Sequence, residues 1–227
     1  MKKIKFVEKT FDHPIPAVDI VIFTVHQEKL KVLLIKMKKA PYEKCWAAPG
    51  GLVRTEESID KAAKRSLFDK TGVKNIFLEQ LYTFGKVNRD PFGRVVSVAY
   101  YALIPSKGIK LKTTEEYSGV EWFDIKNLPD LAYDHKEIIN LAIKRLQAKL
   151  EYTNIVCNLL PKEFTMREMQ KVYEIILNRK FDKRNFQKKI HSLGMIKKTD
   201  KKTTGDAYRP ATLYMFIEKK QKIIQIL

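Results

Sequence analysis

Three observations predict an α+β chain in two parts. β-Branched runs of strand length alternate with two long helical patterns as far as residue 152. Beyond it come two short capped helices, and then two strand-like runs close the chain. The first part (1–152) reads as a mixed sheet with helices on its faces, and the second (153–227) as helix, turn, helix and hairpin. With 44% hydrophobic and 31% charged residues in 227, there is enough apolar surface for a core, which excludes wholesale disorder. Nine Gly and nine Pro exclude collagen-like or low-complexity architecture.

In the first part, residues 18–25 and 30–37 are β-branched strands around the polar turn Gln27-Glu28-Lys29. Trp46 to Gly51 is a short strand running into a glycine turn. Residues 57–70 read as a helix, with Ile59, Ala62, Ala63 and Leu67 at helix-face spacing and Gly72 as its stop. Strands recur at 77–84, 94–104 and 120–123. A second long helix over 134–150 carries Ile138, Ile139, Leu141, Ala142, Leu146 and Leu150 as its stripe.

In the second part, Thr165 and Glu168 form a capping box, in which the hydroxyl accepts from a backbone N–H and the carboxylate reaches back. Met169, Val172, Tyr173 and Ile176 continue that helix's apolar face. Asn178 to Phe181 break it, and Asp182 caps another helix with Phe186, Ile190 and Leu193 inward and Gly194 as its end. Residues 195–199 and 212–216 are strands joined by a polar loop at 200–206. This is the order of a winged helix-turn-helix.

The chain carries 44 basic and 26 acidic residues, a formal charge of +18. Residues 151–227 hold 17 basic and 8 acidic, so half the excess sits in the last third. Such a field suits a polyanionic partner, nucleic acid above all. No apolar run approaches the ~20 residues that cross a bilayer. The basic start Met1-Lys2-Lys3 is followed by no apolar stretch of a secretory signal. Cys45 and Cys157 are too few for a disulfide scaffold and lack metal-ligand spacing. A cytoplasmic, membrane-free protein is predicted.

The segment from Gly51 to Val73 resembles the Nudix box, G-x5-E-x7-R-E-U-x-E-E-x-G-U with U aliphatic. Gly51, Glu57, Arg65, Leu67, Gly72 and Val73 match it at the required spacings. In the family three glutamates on one helix face gather Mg2+, which neutralises a pyrophosphate and activates water. Ser66, Asp69 and Lys70 occupy those positions here. Only Asp69 keeps a carboxylate, and the Lys70 ammonium repels a cation. Degenerate catalysis is therefore predicted, with no metal and no cofactor. Mg2+ enters only under the alternative, an active hydrolase of a nucleoside diphosphate derivative such as ADP-ribose.

Residues 78–85 and 88–100 are similar to the matching region of Nudix-related transcription regulators and of ADP-ribose-type Nudix hydrolases. Arg89-Asp-Pro-Phe-Gly-Arg94 reads as a hairpin loop with Pro and Gly making the turn. It is either a solvated turn or a rim that offers Arg89 and Arg94 to phosphate or ribose. Arg54, Glu57, Arg65, Arg89 and Arg94 are the candidate effector contacts.

Lys183, Arg184, Gln187, Lys188 and His191 make a basic, hydrogen-bonding stripe on the second helix of the helix-turn-helix, where a recognition helix reads the major groove. Lysines clamp phosphates, while Arg184 and Gln187 suit bidentate contacts to base edges. Lys197, Lys198, Lys201, Lys202 and Arg209 lie on the wing. A solvated, solubilising face is the competing reading. Residues 159–173 and 182–190, with Arg209-Pro-Ala, resemble the second domain of the Nudix-related transcription regulators. The resemblance implies a homodimer on double-stranded operator DNA, with an effector of ADP-ribose or sugar type. An RNA-associated protein is disfavoured, because no stacked aromatic platform is visible.

Overall fold

The computed structural model describes residues 13–72, 76–105, 117–203, 210–218, 220–224 and 226, with the side chains of Lys70 and Thr71 outside the described set. Among these residues, seven strands form one mixed sheet: Ile15–His26 (β1), Lys29–Met37 (β2), Trp46–Ala47 (β3), Gly50–Leu52 (β4), Phe77–Phe84 (β5), Val95–Leu103 (β6) and Tyr117–Asp124 (β7). The order is β3-β2-β1-β6-β5, with β4 also paired to β1 and β7 to β2. β1 runs parallel to β6 from Ile15 opposite Val95 to Phe23 opposite Leu103. A central strand covered on both faces reads as a near-continuous apolar run, and β1 does apart from Asp19 and Thr24.

Helices cover the two faces. Ala62, Ala63 and Leu67 of Ile59–Thr71 (α1) pack on Val18, Ile20 and Ile22. Ile138, Ile139 and Ala142 of His135–Tyr152 (α2) pack on Val21, Phe23 and Leu34. α1 starts at Ile59, not at residue 57, because Ser58 is its N-cap and accepts from the Lys61 N–H at 3.3 Å. It stops where Gly72 turns left-handed (φ 70°) and donates to the Phe68 carbonyl at 2.7 Å. Gly50 is fixed by close approach: a Cβ there would lie 2.4 Å from Asp19 Oδ1 and 2.5 Å from the Val18 carbonyl.

The C-terminal part holds Phe164–Thr165 (β8), Met166–Leu177 (α3), Lys183–Ser192 (α4), Ile196–Lys202 (β9) and Thr212–Phe216 (β10), with strand order β8-β10-β9. The Thr165–Glu168 capping box forms as the spacing predicts. β8 has no sequence signal, since two residues carry no period and its partner lies far along the chain. β9 runs on to Lys202, so Asp200, Lys201 and Lys202 are strand and not the predicted loop. Thr212 pairs with Lys202, and the Thr203 N–H donates to the Ala211 carbonyl at 2.9 Å, which extends the hairpin.

Among the described residues, the buried core is continuous across the predicted division at 152/153. One cluster of buried apolar side chains runs from Val21 and Phe23 through Leu146 and Leu150 of α2 to Phe164, Tyr173 and Ile190. Gln147 Nε2 also donates to the Ile176 carbonyl at 2.8 Å. The C-terminal residues return onto the end of α2, where the Ile224 and Ile226 N–H groups donate to Tyr152 and Glu151 at 2.8 Å. α2 is thus a shared beam. Leu146→Ala removes packing common to both parts and is predicted to cost ~2–5 kcal/mol. Urea unfolding should show one transition at a lower midpoint with an unchanged slope.

Candidate functional site

The box segment holds itself in shape. Glu57 accepts from the Arg54 N–H at 2.9 Å, from Arg65 Nε at 2.9 Å and from Arg65 Nη2 at 2.5 Å. The Arg65 hydrogen bonds, followed by the Arg54 N–H, hold the Glu57 carboxyl down at about 2. Arg65 Nη2 also reaches the Leu52 carbonyl at 3.1 Å, tying the strand end to the helix. Glu57 and Arg65 are therefore spent on each other, and Arg54 joins them through its backbone.

The residues at the metal-ligand positions diverge. Ser66 is buried with no partner for its hydroxyl among the described residues, whereas the Asp69 side chain is 49% exposed and lies 3.9 Å from Arg65. Ser66 and Asp69, three apart on α1, thus differ in exposure and in partners, and the Lys70 side chain lies outside the described residues. Among the described residues, no group of three His, Cys, Asp or Glu side chains converges on a point that suits a metal. This donor set does not fit the Mg2+ of the Nudix box.

A cavity of about 190 Å³ opens beside the box, lined by Asp19, Gly50, Gly51, Arg89, Asp90, Tyr117, Tyr133 and His135 among others. That is below the ~300–1,000 Å³ usual for a site that encloses a whole ligand. Its floor is a buried charge network. Arg89 donates to Asp134 through Nε (2.9 Å) and Nη2 (2.7 Å), and to Asp19 through Nη2 (3.0 Å). Ser97 Oγ donates to Asp19 at 2.6 Å. His135 Nδ1 accepts from the Ala48 N–H at 3.0 Å, which leaves Nε2 to face Asp19 Oδ1 at 3.4 Å. Burial alone raises the Asp19 carboxyl, but His135, Ser97 and Arg89 outweigh it and hold it at about 2.

Arg89 is thus not the exposed rim donor that the hairpin reading predicts. It is 7% exposed and saturated by carboxylates, so it positions the floor. Arg94 is exposed, and its Nη1 donates to the Gly85 (3.0 Å) and Lys86 (3.3 Å) carbonyls, closing the loop on itself. Sequence reasoning missed Asp19, Asp134, His135, Tyr117 and Tyr133. A usable signal was the lone Asp19 inside a β-branched run, since a carboxylate in a central strand must be paired. Tyr133 is held at φ 55°, and its ring lies 4.4 Å from Tyr42. Burial, then Asp90, pushes its hydroxyl up to about 12.

On the second domain, α4 is anchored by buried Phe186 and Ile190 and capped by Asp182, which accepts from the Asn185 N–H at 2.8 Å. Lys183, Arg184 and Lys188 are exposed, and Gln187 is half-buried. The exposed His191 ring lies 5.5 Å from Tyr214 of β10. Lys202 is exposed on β9, while Lys201 pairs with Glu163 at 3.0 Å and is less free than the wing reading supposes. Arg209 lies outside the described residues. The stripe on α4 is assembled, 45 or more residues away in sequence from any cleft residue.

The Asp19 network carries a pH test. Its carboxyl is depressed on folding, so the stability it contributes is complete above the ordinary value of 3.8 and is lost as pH falls toward about 2. Asp19→Asn should flatten that acid loss, read as urea midpoints from about pH 5 to about pH 2. An unchanged acid profile contradicts the network.

A family model for the NUDIX domain matches residues 13–142, and one for the NrtR DNA-binding winged helix domain matches residues 156–216. The ADPR responsive transcriptional repressor NtrR of Acinetobacter baylyi is 36% identical over 217 residues, 93% of this chain and 86% of that protein. The crystal structure of Shewanella oneidensis NrtR complexed with a 27mer DNA is similar at TM-score 0.78 and 33% identity, covering 88% of this chain and 92% of that one. The NUDIX domain of the same protein, complexed with ADP ribose, is similar at TM-score 0.56 and 34% identity, covering 63% of this chain and 94% of that one. With both domain models matched in order and a relative that similar along nearly its whole length, this chain belongs to the NrtR family of Nudix-related transcription regulators.

Proposed function

We propose that this chain is a DNA-binding transcriptional regulator whose Nudix domain binds ADP-ribose or a close derivative without cleaving it. The observation that carries the reading is the outward face of α4. Among the described residues, no carboxylate pairs with Lys183, Arg184 or Lys188, whereas Lys180 and Lys201 pair with Glu174 and Glu163. Unpaired cations on a helix locked by Phe186 and Ile190 suit an anionic groove. Lys183 and Lys188 take phosphates, and Arg184 and Gln187 take base edges. A single winged helix buries too little surface for high specificity, so two copies act on half-sites about one helical turn apart. The protein works in the cytoplasm, on duplex DNA. The effector reading draws on the relatives crystallised or described with ADP-ribose, on the aromatic and polar cleft lining, and on the loss of the metal-ligand set.

Fluorescence anisotropy with duplexes from its own promoter, against scrambled duplex, tests the reading. Arg184→Ala and Gln187→Ala should each lose ~1–3 kcal/mol of discrimination while scrambled DNA is bound much as before. With ~6–10 phosphate contacts, affinity should fall ~10³–10⁵-fold between about 50 and 200 mM salt. No preference for any promoter fragment, with Arg184→Ala silent, would sink the reading. For the effector, ADP-ribose at a hundredfold excess over Kd should add ~2.7 kcal/mol of stability. It should be recovered intact after incubation with Mg2+. Turnover above ~1 per second, an ordinary enzyme rate, would instead return the chain to the hydrolases.

A further inference from the structure

A cavity of about 470 Å³ lies on the seam between the two domains, lined by Lys29, Asp124 and Lys126 of the first and by Lys171, Glu174, Arg179 and Lys180 of the second. Carboxylates neutralise three of these five cations: Lys29 meets Asp124 at 3.1 Å, Lys171 meets Glu28 at 3.1 Å and Lys180 meets Glu174 at 3.4 Å. The other two make no ion pair within 4 Å among the described residues. Lys126 Nζ donates to the neutral Asn178 Oδ1 at 3.3 Å and feels Asp124 only at longer range, a carboxylate already paired with Lys29. The Arg179 guanidinium lies 4.6 Å from the Phe181 ring, and both side chains are exposed. The seam therefore sets five cations against the three carboxylates Glu28, Asp124 and Glu174, a net positive surface among the described residues.

Its position relative to α4 says what it faces. Arg179 and Lys180 line this cavity and also the neighbouring one of about 450 Å³, which contains Asn185 and Lys189 of α4. At ~3.6 residues per turn, Asn185 and Lys189 share one flank of the helix and Gln187 and His191 the other. The second flank meets the wing, where His191 touches Tyr214. A helix in the major groove has a phosphate backbone on each side. The wing serves one of them, and the seam lies toward the other.

We propose that this seam is a second phosphate-contacting surface for duplex DNA, through which Lys126 of the Nudix domain holds the operator backbone directly. The proposal rests on the reading of α4 as the operator-contacting helix. Phosphate contacts carry no base information, so the surface contributes affinity and orientation and leaves specificity to α4. It also places a side chain of the effector-binding domain on the DNA itself, so that the two domains meet the operator together.

The test is anisotropy of full-length Lys126→Gln, Lys126→Arg and Arg179→Gln on promoter and scrambled duplexes across a salt series. Lys126→Gln and Arg179→Gln should each lower the slope of log affinity against log salt by about one per bound copy. Both duplexes should weaken alike, and Lys126→Arg should keep the wild-type slope. Unchanged slopes in both Gln variants, with Arg184→Ala still losing discrimination, overturn the seam and leave α4 intact. Absence of DNA binding by the wild type overturns the operator reading, and the seam with it. If slopes hold but inorganic phosphate raises the melting temperature of wild type and not of Lys126→Gln, the seam is a small-anion site and the DNA proposal fails.

Discussion

The Arg89 guanidinium, buried between Asp19 and Asp134, is the interaction on which the effector cleft depends. A buried charge is tolerated only when its partners and hydrogen bonds are complete, and removing one partner leaves the other uncompensated. Here two carboxylates answer the guanidinium, while Ser97 donates to Asp19 and His135 Nε2 faces it at 3.4 Å. That set joins four stretches of chain, namely the central strand, the loop after β5, β6 and the start of α2. The N-cap position of α2 shows the consequence, since the Asp134 carboxylate makes no cap bond and faces Arg89 instead.

From that turn α2 runs along the sheet and into the core shared with the winged helix. Its buried stripe, Ile138, Ile139, Ala142, Leu146 and Leu150, touches sheet residues at one end and α3 and the 3-10 turn Ile155–Asn158 at the other. The same helix therefore ends in the cleft floor and in the packing that seats α4. Two arginine–carboxylate devices divide the labour in the first domain. Glu57 and Arg65 keep the box loop folded after its metal-ligand positions have changed, and Arg89 keeps the cleft floor.

Much of this was legible in the residues. Strand and helix periods located every long element, and the Thr165–Glu168 and Asp182 caps marked the starts of α3 and α4. Gly51, Glu57 and Arg65 marked the box, whose matches belong to one contiguous segment. What escaped were contacts made between segments. β8 is defined only by its pairing with β10, and the extra length of β9 by its pairing with Thr212. Arg89 sits between turn-forming residues and reads as exposed, but its partners are 70 and 45 residues away. Local pattern has no term for such a pairing. The stripe on α4 was readable because exposure and spacing on one helix are local properties.

The central claim is that effector occupancy of the first domain changes the hold of the second on DNA. The direct measurement is the affinity of the full-length protein for its promoter duplex at fixed salt, with and without ADP-ribose at a concentration that saturates its melting shift. A coupling of ~5–150-fold is typical of linked sites, and a change of at least about fivefold is predicted. Equal affinities, with ADP-ribose demonstrably bound, would contradict the account.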